Sequence, residues 1–199
     1  SPKQILFGDT HVHTTYSTDA FLWSLPIFNG EGPHPISDAC NYARFCSALD
    51  FWVTSDHAEA STPRKWKSIK EAVRQCNAPS DFEDPDMVTF LGFEWTQVGL
   101  EPNNHFGHKN VIFLDINENK VPLRPIGAGG LATNGMRSSI GSQASELLKP
   151  LAFIDFPNRQ RYFNFSSFVE ELADVPFCEE GISSALLPED CYESANTPA

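Results

Sequence analysis

Four apolar runs of β character lie in the first 115 residues, and each adjoins a histidine or an acid. Residues 4–8, centred on Ile5, Leu6 and Phe7, run into Asp9-Thr10-His11-Val12-His13. Phe51–Thr54 ends at Ser55-Asp56-His57, residues 88–93 end at Glu94, and residues 111–114 follow His105 and His108. Helical spacing fills two of the gaps. Ile36, Ala39, Cys40, Ala43 and Cys46 predict a helix starting near Ser37. Thr62 followed by Pro63 reads as an N-cap and first helical position, ahead of Trp66, Ile69, Val73 and Cys76 on one face. Strands alternating with helices predict βα units in a mostly parallel sheet or barrel. In such folds, loops and chemistry gather at the C-terminal ends of the strands, where these groups fall.

The remainder is less regular. Residues 21–35 hold Pro26, Gly30, Gly32, Pro33 and Pro35 and read as a loop. Residues 120–142, rich in Gly and Pro, read as a long loop or excursion. Residues 166–173 read as a short helix, and the polar tail from Pro188 has no period.

His11 and His13 lie two apart, so on an extended segment both imidazoles point to one face and can reach one ion. Asp9 is either a ligand or an acceptor that orients a ligating ring. Asp56 and His57 follow the most hydrophobic strand of the first half, where a charged pair needs a partner. Glu94 sits in the apolar run Phe90-Leu91-Gly92-Phe93, with no Lys or Arg close in sequence, so a cation is its economical partner. Of His105 and His108, the second lies nearer the following strand and is the preferred ligand. Asp19 is a further candidate. Mixed His and carboxylate donors suit Zn²⁺, Mn²⁺ or Fe²⁺ better than Ca²⁺ or Mg²⁺. Two ions sharing a carboxylate ~3.5–4 Å apart activate a water and clamp both oxygens of an in-line displacement.

The formal net charge of −12 repels phosphate backbones and argues against a nucleic-acid partner. No apolar run approaches the ~20 residues of a membrane span. Five cysteines without a CxxC pair argue against a Cys-type zinc site. They are either buried free thiols or disulfides of an exported protein, in which case Cys40 or Cys46 with Cys76 would link the two helices. The opening Ser1-Pro2-Lys3, without Met, reads as a mature chain after signal removal or as an arbitrary boundary, so the expected setting is periplasmic or secreted. Ser17 and Ser55 lie near histidines, but neither sits in a Gly-x-Ser-x-Gly elbow.

Four ordered motifs resemble the PHP (polymerase and histidinol phosphatase) metallohydrolases, and most closely the DUF3604 group. They are GDTHVHTTYSTDAF (8–21), DFWVTSDHAE (50–59), FLGFEWT (90–96) and HKNVIF (108–113). The resemblance implies an α/β fold, a distorted (β/α)7 barrel with a centre of two or three divalent ions, Zn or Mn with Fe as an option. It implies His11 and His13 on one ion, Glu94 as a bridge, and Asp19, His57 and His108 on the neighbouring ions. Asp56 joins the candidate ligands from its own motif. Glu94 and His57 are the candidate catalytic residues. The family's later histidine motif and final Asp-x-His pair have no counterpart here, since no histidine follows residue 116. The barrel is thus expected to be incomplete in this chain. Residues 1–116 would form its N-terminal part, 117–199 a loop-rich extension, and a second chain or C-terminal fragment would complete it.

The expected function is hydrolysis of a small phosphoester by a metal-activated water. Alternatives keep the centre but change the bond to amide, carboxylic ester or sulfate ester, or make the chain a non-catalytic partner of a larger barrel.

Overall fold

The computed structural model describes residues 5–32, 34–81 and 83–197; Ser1-Pro2-Lys3, Gln4 and Pro33 lie outside them. In chain order the elements are β1 (Gly8–Val12), α1 (Thr18–Trp23), α2 (Ile36–Asn41), β2 (Phe51–Thr54), α3 (Pro63–Asn77), β3 (Val88–Gln97) and β4 (Gly107–Phe113). There follow β5 (Ile126–Ala128), α4 (Leu131–Met136), α5 (Ser139–Glu146), α6 (Leu151–Ile154), α7 (Arg159–Asp174) and β6 (Glu193–Ala195). The fold is mixed α/β, built on a sheet of order β1-β2-β3-β4 curled into a half-barrel.

β1, β2 and β3 run parallel, with Phe51 opposite both Gly8 and Val88. β4 returns antiparallel to β3, so the sheet is parallel at two of its three pairings and closes on an antiparallel edge. Curvature is visible in one contact: the Asn110 amide on β4 crosses the concave face and donates to the Thr10 carbonyl on β1 at 2.9 Å. β3 is buried over most of its length and is the spine of the core. Gly92 lets β2 approach it, because a Cβ there would lie 2.7 Å from the Thr54 carbonyl and 2.6 Å from that of Val111. Behind the sheet, Trp52, Trp66, Ile69, Val73, Met87 and Leu91 form one hydrophobic cluster.

α3 begins as its sequence predicts, with Thr62 accepting from the Lys65 amide and Pro63 in the first turn. A disulfide between Cys40 and Cys76 ties α2 to α3, a second joins Cys178 to Cys191, and Cys46 is free and exposed.

Five expectations need correction. Ile5, Leu6 and Phe7 lie outside any strand and are exposed, because pairing with β2 begins only at Gly8. The 21–35 stretch carries the end of α1 and a 3-10 turn at Pro26–Phe28. The glycine-rich 120–142 stretch contains β5, α4 and the start of α5. The short helix at 166–173 is the end of the 16-residue α7. That helix supplies Tyr162, Phe165, Phe168, Val169 and Leu172 to a second hydrophobic cluster with Phe21 and Leu25. The aperiodic tail closes with β6, which pairs parallel with β5. No helix among the described residues is long and apolar enough to cross a membrane.

Lys65 is buried against this second cluster, its Nζ 3.3 Å from the centre of the Phe168 ring. Burial pushes its ammonium down to about 7. Below that pH the fold carries a buried charge. Towards pH 10.5, where the unfolded lysine also loses its proton, the penalty vanishes. Lys65→Met is expected to raise stability by about 4 kcal/mol at pH 6. The gain should shrink to nothing by pH 10.5, as urea melts across that range will show.

Candidate metal centre

The concave face of the half-barrel gathers its polar side chains by strand alternation. On β3, residues 94 and 96 face inward while Phe93 and Trp95 face the apolar layer. The β3–β4 register sets Asn110 opposite Glu94 and His108 opposite Thr96. The β1–β2 register shifts between Asp9 and Val12, the stretch that holds His11. His57 follows β2 and bridges to Glu94 in parallel register. Sequence placed Glu94 and His108 at strand ends, but both lie within strands that run further than their apolar runs.

Three overlapping groups of potential ligands result: His11, His13 and Glu94; His13, Asp19 and His57; and His57, Glu94 and His108. Each pair of groups shares one residue, as a multinuclear centre requires. The His11 and His13 rings stack 4.8 Å apart with their Nε2 atoms 2.9 Å from each other. Two nitrogens on one tetrahedral ion with bonds of ~2.0–2.1 Å would sit about 3.3 Å apart. Glu94 is 1% exposed, and its Oε2 lies 2.9 Å from His13 Nε2, 3.4 Å from His11 Nε2 and 3.6 Å from His57 Nδ1. Its other oxygen meets His108 Nδ1. Even so, Oε2 has no hydrogen-bond partner in acceptable geometry among the described residues. A buried carboxylate oxygen ringed by imidazole nitrogens and left without a donor is short of a cation. The donor set fits the divalent ions it implies.

Asp19 completes the set, with Oδ1 3.2 Å from His13 Nδ1 and Oδ2 3.5 Å from His57 Nε2. Burial would raise its carboxyl, but hydrogen bonds with the two rings hold it far below the usual range. Burial likewise works against a charged His57, yet hydrogen bonds with Asp19 and Glu59 and the charge of Glu94 push that ring up to about 10. His13 is raised, with burial opposing and Asp19 favouring its protonated form. In these groups protons and a metal ion compete for the same nitrogen and oxygen atoms. A bound ion must displace the protons, so metal binding releases them.

Asp56 is not drawn into any of the three groups. Its carboxylate accepts from the Thr14 amide at 2.6 Å and the Thr14 hydroxyl at 2.8 Å, which fixes the chain just after His13. Burial pushes it up to about 6. Asp9 accepts from the His11 amide at 2.9 Å, and His105 faces the Gly99 carbonyl instead of the centre.

Several residues escaped the sequence reading. Glu59 is buried, with Oε1 accepting from the Thr96 and Ala128 amides and Oε2 3.6 Å from His57 Nδ1. The Thr96 hydroxyl lies 3.0 Å from His57 Nδ1 and 3.1 Å from His108 Nδ1. The Ser17 hydroxyl sits between His13 Nδ1 and the His57 amide. Glu59 lies in a 3-10 turn after His57, where strand alternation does not apply; Ser17 is marked only by its nearness to His13 in sequence, and Thr96 carries no signal. Thr96→Val should weaken metal affinity 10–100-fold while preserving the fold, because partners that orient ligating rings carry effects of that size. Competition with a colorimetric chelator measures this.

A model of the family described as "Protein of unknown function (DUF3604)" matches residues 1–62. No curated protein matches the chain, and no solved structure does. The matched stretch carries His11, His13, Asp19 and His57, so the chain is similar to that family across the part that supplies four of the six gathered groups.

Proposed function

We propose that this chain carries a PHP-type metal centre and hydrolyses a small phosphoester. The carrying observation is Glu94, a buried carboxylate whose Oε2 has no donor although nitrogens of His11, His13 and His57 surround it, whose Oε1 meets His108, and which pairs with no Lys or Arg among the described residues. His11, His13 and Glu94 would hold one ion, and Asp19, His57 and His108 would serve its neighbours, with Glu94 shared. When bound there, Zn²⁺ or Mn²⁺ supplies Lewis-acid polarisation and water activation. Around them Asp56 fixes the turn after His13, and Ser17 and Thr96 orient the rings of His13, His57 and His108. His11 and His108 are more than half exposed, so a substrate reaches the centre from that side.

An exported setting fits the two disulfides. A partner chain or further segment completing the barrel fits the sheet edges. Among the described residues, the outer sides of β1 and β4 pair with nothing, and Ile5, Leu6, Phe7 and Leu114 stand exposed beside them.

The test uses the full chain loaded with Mn²⁺ or Zn²⁺ and offered p-nitrophenyl phosphate, bis(p-nitrophenyl) phosphate, p-nitrophenyl sulfate and p-nitrophenyl acetate. Metal-dependent release from either phosphoester, stopped by a chelator, supports the proposal. Cleavage confined to the sulfate or acetate overturns the phosphoester assignment in favour of the other bonds.

A further inference from the structure

A recess of about 280 Å³ opens beside the centre, lined among the described residues by Asp19, His57, Glu59 and Thr96 on one side. Leu22 and Trp23 of α1, Val98 beyond β3, and Ala132 and Met136 of α4 form its other walls. Two contacts brace it. The Thr18 hydroxyl meets the Met136 sulfur at 3.0 Å, tying α1 to α4, and Trp23 packs edge-on against Phe28 with ring centres 5.0 Å apart.

The chemistry of these walls is one-sided. No Lys or Arg lines the recess. Two of its threonine hydroxyls already have partners: Thr18 on Met136 and Thr96 between His57 and His108. Asp19 and Glu59 face His57 and, for Glu59, backbone amides. Apart from His57, whose ring Asp19 and Glu59 already engage, an anionic substituent entering here would meet acids and no cation among the described residues. A strongly polar one would find one acceptor still without a donor, Glu59 Oε2, and would otherwise lose its hydration against apolar walls. An apolar group gains from contact with Leu22, Trp23, Val98 and Met136. The volume is ample, since cavities of about 150 Å³ already accept benzene.

We infer that this recess is the specificity pocket of the centre and takes an uncharged alkyl or aryl group joined to the scissile ester. The inference rests on the proposed hydrolytic reading for the bond that is cleaved, and on the recess alone for the group that is bound. The phosphoester substrate is then one whose alcohol is apolar.

Binding is tested separately from turnover. Methyl-, ethyl-, butyl- and hexylphosphonic acids are titrated calorimetrically into the Mn²⁺-loaded full chain. Each buried methylene should lower Kd about three- to fourfold, so butyl should bind roughly 30- to 60-fold more tightly than methyl. Val98→Asp, in a half-exposed wall residue outside the ligand set, should flatten that slope with metal content unchanged. A flat series in the wild-type chain, or an unaltered slope in Val98→Asp, overturns the inference. The matching alkyl phosphates are then assayed for hydrolysis. A steep phosphonate series without hydrolysis supports the pocket and removes the phosphoester reading. Hydrolysis with kcat/KM independent of chain length removes the pocket and leaves that reading standing.

Discussion

Glu94→Gln is expected to leave the folded chain unable to retain the metal proposed for this centre. The carboxylate belongs to two of the three ligand groups, and each of its oxygens faces imidazole nitrogens. A neutral amide loses the charge that draws the ions and offers only one oxygen to share. Affinity for Mn²⁺ or Zn²⁺ is expected to fall at least 1,000-fold, which is about 4 kcal/mol. The consequence for stability follows by mass action. At 100 times its Kd, a metal adds about 2.7 kcal/mol to the wild-type fold. For a chain of this size that raises Tm by roughly 5–10 °C. Glu94→Gln should show no such rise, while its metal-free melting stays cooperative. A full metal-dependent rise in the variant would take Glu94 out of the centre.

Breaking the Cys40–Cys76 disulfide is the largest stability change expected away from the centre. The bond closes a sequence separation of 36 residues and joins α2 to α3 within the core behind the sheet. Chain entropy alone assigns it about 4 kcal/mol, against about 3 kcal/mol for the 13-residue separation of Cys178 and Cys191. The paired serine variant Cys40→Ser with Cys76→Ser should therefore melt roughly 8–16 °C lower. Arg44 moderates the loss, since its guanidinium reaches the Cys76 carbonyl at 2.9 Å and the Asp86 carboxylate at 2.8 Å. Metal content should not change, because neither cysteine touches the concave face. Calorimetry of both double variants under non-reducing conditions checks the order. A smaller loss at 40–76 than at 178–191 would contradict it.

What the sequence discloses is governed by locality. Thr62 and Pro63 announce α3 because capping involves neighbours in the chain. His11 and His13 announce a shared face because alternation is a property of one strand. Glu94 stands out because its run is apolar and lacks a cation. The strand at 4–8 was misplaced because Ile5, Leu6 and Phe7 have strand composition, whereas pairing with β2 decides where β1 begins. α4 and α5 were hidden because Gly135 and Gly141 look like loop punctuation, and neither helix shows a long apolar stripe. The antiparallel return of β4 also left no mark, since β3 and β4 have the same composition whichever way they run. Glu59, Ser17 and Thr96 acquire their roles only when β1, β2 and β3 come side by side. Asp56 follows a strand as a ligand would, and its contact with Thr14, 42 residues away, carries no local sign. Those assignments depend on register, which no local pattern carries.

The central claim is that imidazoles and a shared carboxylate from four separate stretches hold cations together. X-ray absorption at the metal edge of the Mn²⁺- or Zn²⁺-loaded full chain tests it most directly. The account predicts a mixed nitrogen and oxygen shell, with Zn–N at ~2.0–2.1 Å, outer-shell scattering from several imidazoles, and a metal–metal vector near ~3.5–4 Å. An all-oxygen shell without imidazole scattering would contradict it.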